Sequence, residues 1–135
     1  MRRVFLDTSA LVAFFDANDG NYQRSRVFFR SLPKEKIRVI ISDYVLDECI
    51  TMVLSRAGHS AAVRAGEFLL SSRIVELVWL DEAVKMESWE YFRKHADKVY
   101  SFTDCTSFVL MKKMKVNEYF GFDDDFKKAG FLLHA

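Results

Sequence analysis

Val4-Phe5-Leu6-Asp7-Thr8-Ser9-Ala10-Leu11 joins an unbroken apolar run to an acid and two hydroxyl residues. An apolar run without polar alternation is the pattern of a strand covered on both faces, as in the interior of a parallel sheet. The sequence therefore predicts a strand over residues 3–7 and a helix over 8–17. A carboxylate at that junction lies in the crevice beyond the strand ends, where parallel α/β sheets build their sites.

The same alternation continues along the chain. A second helix is expected over 20–32, set off by Asn18-Asp19-Gly20 and stopped by Pro33, the one proline. Val39-Ile40-Ile41 reads as another buried strand, and Ser42-Asp43 as the cap of a helix reaching Arg56. Further helices are expected over 60–71, 81–95, 103–114 and 124–129. Strands are expected over 74–80, 118–122 and 131–133, with Val99-Tyr100 either a very short strand or a loop. Strands alternating with helices imply a three-layer α/β/α sandwich around a parallel sheet with right-handed crossovers. With five glycines, one proline and no repeat, nothing marks a linker, so a single domain over 1–135 is expected.

Composition narrows the function. Half of the residues are hydrophobic and 15% aromatic, which excludes disorder as the main state. The apolar run after Arg2-Arg3 ends at Asp7, too short for a signal-peptide core, and no run is long enough to span a membrane; a cytoplasmic protein is expected. Two cysteines, Cys49 and Cys105, and three scattered histidines give neither a disulfide framework nor a zinc motif. Both thiols read as buried and reduced. The net charge is +1. Setting Asp7, Glu48, Asp104 and Asp123 apart from the 19 acidic residues leaves 15 against 20 basic ones, a surface suited to a polyanion.

Each of these four acids also has an ordinary structural role open to it. Asp7, Asp43, Asp81 and Asp123 all follow strands and precede helices, where Asp also serves as an N-cap. Capping is the expected role of Asp43 and Asp81. At Asp7 the following Thr8 and Ser9 offer alternative caps, so a cap and a site both remain open. Glu48 lies away from the centre of the apolar stripe Val45, Leu46, Cys49, Ile50, Val53, Leu54, Ala57, beside Tyr44, Thr51 and Met52; a solvated glutamate would sit there too. Asp104 heads a stripe carrying Phe108 and Met111, so it is expected to be partly shielded, with capping by Thr103 or Asp104 as the alternative. If the four converge, their mutual repulsion requires protons or divalent cations.

Four stretches together resemble the PIN domain, specifically small single-domain toxins of the VapC type. They are Val4–Leu11, Ser42-Asp43-Tyr44-Val45-Leu46-Asp47-Glu48, Ser101-Phe102-Thr103-Asp104-Cys105-Thr106-Ser107-Phe108, and Phe122-Asp123-Asp124-Asp125-Phe126-Lys127-Lys128-Ala129-Gly130. The resemblance covers nearly the whole chain. It implies a metal-dependent ribonuclease with catalytic, metal-binding acids at Asp7, Glu48, Asp104 and Asp123. It also implies Ser9 as a supporting hydroxyl and Asp125 as a helper to Asp123. One or two Mg²⁺ or Mn²⁺ ions are the implied cofactors, since hard cations prefer carboxylate ligands. The implied partners are RNA, an antitoxin and a second copy of the chain. The chain departs from the family at Gly121, where a small hydroxyl residue is common.

Among basic residues, Lys127 and Lys128, close to the last acids, and Arg24 are the candidate RNA contacts. Lys112, Lys113 and Lys115 close a helix and read as solvated charge. Tyr22, Phe28 and Phe29 are candidate partner contacts. A strand-Asp-Thr opening also suits haloacid-dehalogenase-like phosphatases, but their second Asp, two residues on, is Ser9 here. The competing readings are a PIN-fold RNA-processing nuclease without an antitoxin and a non-catalytic PIN-like binding module.

Overall fold

The computed structural model describes residues 1–134; Ala135, the last residue of the expected domain, lies outside them. Five strands form one parallel sheet: β1 (Arg2–Leu6), β2 (Ile37–Ser42), β3 (Val75–Val78), β4 (Glu118–Phe120) and β5 (Leu132–Leu133). Seven helices connect them: α1 (Thr8–Phe15), α2 (Tyr22–Glu35), α3 (Asp43–Ala57), α4 (His59–Ser71), α5 (Glu82–Lys94), α6 (Phe102–Met114) and α7 (Asp125–Lys128). The expected three-layer α/β/α arrangement is the one observed.

The sheet order β3-β2-β1-β4-β5 places β1 at the centre. Val4, Phe5 and Leu6 are fully buried, as are Val39, Ile40 and Ile41 beside them, which is why neither strand alternates in sequence. Winding runs outward from β1 through β2 to β3, then reverses to reach β4 and β5. The reversal falls between β1 and β4, and a crevice opens there at the strand ends. Its register is fixed by pairing Phe5 with Tyr119 and Leu6 with Phe120.

Aromatic residues fill the space against the helices. Phe14, Phe15, Phe29 and Phe68 join α1, α2 and α4. Tyr91, Tyr100, Phe108, Phe126 and Phe131 join α5, α6 and the C-terminal segment, and Phe5 of β1 stacks on Phe126 at 6.1 Å.

Several boundaries differ from expectation. Pro33 does not stop α2, which continues to Glu35 and ends at Lys36 in the left-handed conformation (φ 55°). A proline in the last turn removes a single intrahelical bond, and its ring points to solvent, so the cost there is small. Residues 74, 79 and 80 lie outside β3, 121 and 122 outside β4, and 131 outside β5. Val99-Tyr100 is a loop: Tyr100 is buried against Phe108, whereas Val99 is 95% exposed. Leu54 and Ala57, placed on the buried stripe of α3, are exposed in its last turn. Phe28 and Phe29 are buried, which removes them as partner contacts.

Asp81 caps α5 as expected, accepting from the Val84 N–H at 2.9 Å. Asp43 does not cap α3. That role belongs to Ser42, which accepts from Val45 N–H at 3.1 Å, while Asp43 accepts from the Leu80 N–H at 2.7 Å and ties the exit of β3 to the start of α3. The two cysteines are buried as expected, and burial pushes their thiols up, Cys49 to about 12 and Cys105 to about 11.

Candidate active site

Asp7 is the first residue beyond β1. Its backbone N–H extends the β1–β4 ladder by donating to the Phe120 carbonyl at 3.0 Å, which fixes the side chain over the crevice. Ser9 donates its hydroxyl proton to Asp7 Oδ2 at 2.7 Å and accepts from the Phe122 N–H at 2.8 Å. One hydroxyl thus connects the exit of β1 to the exit of β4. The Gly121 departure has a steric cause. A Cβ at that position would lie 2.5 Å from Asp7 Cβ and 2.9 Å from Asp7 Oδ2, a spacing real atoms do not adopt.

Asp104 is the third residue of α6 and belongs to a capping box with Ser101. The Asp104 N–H donates to Ser101 Oγ at 3.0 Å, and the Ser101 N–H donates to Asp104 Oδ2 at 3.3 Å. Capping and site placement are therefore one arrangement: the box holds the carboxylate through Oδ2 while the residue lines the cleft. Asp123 is exposed after β4; its Oδ1 accepts from the Asp125 N–H at 2.9 Å, turning the chain into α7. Glu48 is half-buried on α3.

Asp7, Glu48, Asp104, Asp123 and Asp125 all line one cleft of about 300 Å³, with Thr8, Ser9, Met52, Val99 and Ser101 completing its walls. Carboxylate oxygens of Asp104, Asp123 and Asp125 lie within 4.8 Å of one another. Asp125 is thus a member of the tightest group, ahead of Asp7 and Glu48. Asp124 lies outside this cleft and is exposed. So do Asp43 and Asp81.

Electrostatics register the crowding. Burial, reinforced by Asp104 and Asp123 and opposed by the Ser9 hydrogen bond, pushes the Asp7 carboxyl up to about 7. Burial, reinforced by Asp123, Asp125 and Glu48, pushes Asp104 up to about 6 against the Ser101 N–H. Asp125 is raised by burial and by Asp123. None of the five forms an ion pair among the described residues. A concave set of hard oxygen donors, none of them in an ion pair among the described residues, fits a divalent cation.

Of the basic residues, Arg24 and Lys127 line a second groove that shares Asp123 with the cleft. Lys128 is not among its walls, although its charge acts on Asp125. Lys113 pairs with Glu87 at 2.9 Å, and Lys112 and Lys113 flank α5 at the opposite end of α6 from Asp104. Sequence reasoning missed Ser101, whose spacing to Asp104 is a capping-box signal, and the steric demand at Gly121.

The PIN domain model matches residues 4–132. The 23S rRNA-specific endonuclease VapC20 of Mycobacterium tuberculosis is 34% identical over 129 residues, spanning 96% of this chain and 95% of that protein. A VapC ribonuclease of Aquifex aeolicus is 27% identical, spanning 93% of this chain and 91% of its own. The crystal structure of M. tuberculosis VapC20, described as a sarcin–ricin loop cleaving toxin, superposes with a TM-score of 0.88 at 33% identity over 96% of both chains. FitAcB of Neisseria gonorrhoeae shares the fold, with a TM-score of 0.65 at 17% identity over 98% of this chain and 96% of that one. No helix among the described residues is long and apolar enough to cross a membrane. With a family match over almost its full length and a relative above 30% identity along nearly all of both sequences, the chain belongs to the PIN domain family.

Proposed function

We propose that this protein is a divalent-metal-dependent endoribonuclease and the toxin of a toxin–antitoxin pair. The observation that carries the reading is the convergence of five carboxylates from four separate chain segments on one cleft whose lining, among the described residues, includes no basic side chain. The likeness to VapC20 and to the Aquifex ribonuclease supplies the reaction class. In this reading Asp7, Glu48, Asp104 and Asp123 are the catalytic acids and metal ligands, with Asp125 assisting Asp123.

Hydrolysis of a phosphodiester needs an in-line nucleophile and neutralisation of charge growing on the phosphoryl oxygens; one or two Mg²⁺ or Mn²⁺ ions supply both. The protein's part is positioning. Ser9 and the Thr8 N–H hold Asp7, the capping box holds Asp104, and the turn into α7 holds Asp123 and Asp125. No Ser, Cys or His nucleophile lines the cleft other than Ser9 and Ser101, and both of their hydroxyls accept backbone N–H bonds.

The similarity to VapC20 makes the sarcin–ricin loop of large-subunit ribosomal RNA the first substrate to offer. A homodimer and an antitoxin that covers the cleft are part of the same reading. The test is cleavage of ribosomal RNA and of a mixed RNA pool with Mg²⁺ or Mn²⁺, comparing wild type with folded Asp7→Asn and Asp104→Asn. Metal-dependent cleavage absent from both variants is expected. Equal cleavage by all three proteins sinks the assignment of the acids.

A further inference from the structure

Arg24 and Phe28 stand one turn apart on α2, and Phe120 and Phe122 stand two residues apart at the exit of β4. The two pairs meet in register. Phe28 stacks on Phe120 with ring centroids 3.9 Å apart and planes 4° from parallel. The Arg24 guanidinium lies over the Phe122 ring, 5.2 Å from its centroid, and Phe122 packs edge-on to Phe120 at 5.3 Å. The last member of this ladder is thus a cation on a ring braced by the core. Its backbone is also fixed, because the Phe122 N–H donates to the same Ser9 hydroxyl that holds Asp7. Arg24 therefore rests on a ring whose backbone is tied through Ser9 to the first acid of the cleft.

Beyond Phe122 lies a groove of about 220 Å³, with Arg24 on the α2 side and Lys127 on the α7 side, and Asp123 as the wall it shares with the carboxylate cleft. Neither Arg24 nor Lys127 pairs with an acid among the described residues; the one polar partner of Arg24 is Asn21 Oδ1, at 3.4 Å. Two unpaired cations lining one polar groove, which Asp124 also lines, next to acids placed to act on a phosphodiester, suit a second phosphate of the same strand. We propose that Arg24, positioned by Phe122, and Lys127 form a phosphate-binding subsite for the RNA backbone flanking the scissile bond. This rests on the nuclease reading above. The subsite recognises charge and spacing rather than base identity, so it supplies affinity and registers the strand on the acids.

Binding of a fluorescein-labelled mixed-sequence RNA oligonucleotide, followed by anisotropy from about 50 to 200 mM salt, tests the proposal. An Asp104→Asn background keeps the probe intact. Arg24→Ala and Lys127→Ala should each lower the slope of log affinity against log salt by about 0.7, the value for one lost contact to a single strand. Phe122→Leu should weaken binding in the same direction and add little to Arg24→Ala, since it acts through that side chain. Lys113→Ala, whose lysine pairs with Glu87 away from the groove, should leave the slope unchanged. Unchanged slopes in Arg24→Ala and Lys127→Ala overturn the subsite, as does an equal loss in Lys113→Ala or an absence of RNA binding. Metal-dependent cleavage by wild type, assayed separately, tells whether the nuclease reading stands or falls with it.

Discussion

Gly121 lies against Asp7 so closely that no side chain fits between them; a Cβ on Gly121 would meet Asp7 Cβ at 2.5 Å. Any substitution there must move either the exit of β4 or the acid itself. Gly121→Ala should lower stability by about 1–3 kcal/mol, the usual range for a forced overpacking. Cleavage should fall by about 100-fold, the cost of displacing a reacting group by roughly 1 Å. Gly20→Ala, where a Cβ meets nothing within 4 Å, should do neither. Thermal melts and an RNA cleavage assay on the two variants check this.

Ser9 couples the same two strand exits through a single hydroxyl. Ser9→Ala leaves the Phe122 N–H without its acceptor and Asp7 without its donor, at a cost of about 1–3 kcal/mol. The Ser9 bond holds the Asp7 carboxyl down against burial, so its loss raises that carboxyl further above about 7. The pH profile of cleavage should then move to higher pH, and Ser9→Thr should move it back. A profile that stays in place in Ser9→Ala would contradict this coupling.

The raised carboxyls make metal-free stability depend on pH with a definite sign. For Asp7 the folded value of about 7 exceeds the unfolded 3.8, so the folded state binds the proton more tightly. The stability this contributes is complete below pH 3.8 and is lost as pH rises through about 7. The metal-free protein should therefore melt at progressively lower temperature between those values, less any acid effects elsewhere. Asp7→Asn should flatten that slope and stabilise the metal-free protein at pH 8 by on the order of 4 kcal/mol, each pKa unit being worth about 1.4. Added Mg²⁺ should raise the melting temperature of wild type at pH 8 far more than that of the variant. Calorimetry across pH with and without metal reads both effects.

Asp43 offers the reverse separation. It supports the fold through the Leu80 N–H and lies outside the cleft. Asp43→Ala should cost about 1–3 kcal/mol for a backbone donor left unpaired, with unchanged Mg²⁺ affinity by isothermal titration.

Strand-by-strand, the fold was legible because burial on both faces erases polar alternation: Val4-Phe5-Leu6 and Val39-Ile40-Ile41 carry that signature directly. The convergence of Asp7, Glu48, Asp104 and Asp123 was legible through family resemblance, and the cleft holds all four. What stayed hidden depends on tertiary neighbours. Asp43 and Asp81 look alike in sequence, yet only Asp81 caps its helix, because Leu80 comes within reach of Asp43 once β3 is paired. Pro33 read as a stop, although a proline in a final turn breaks little. The buried fate of Phe28 followed from a ring on β4 far along the chain.

The pairing of Phe5 with Tyr119 sets when the cleft exists at all during folding. The central strand is joined on one side to residues more than half the chain away, and contacts of such sequence separation slow folding. The β1–β2–β3 half with its helices carries Asp7 and Glu48. Asp123 and Asp125 are delivered only with β4, in the step that closes the sheet. A partly folded chain therefore carries the acids without the constellation, and hydrolytic competence switches on with completion of the core rather than growing alongside it. A fragment ending between Lys115 and Glu118 should keep Asp7, Glu48 and Asp104 in its sequence and cleave nothing.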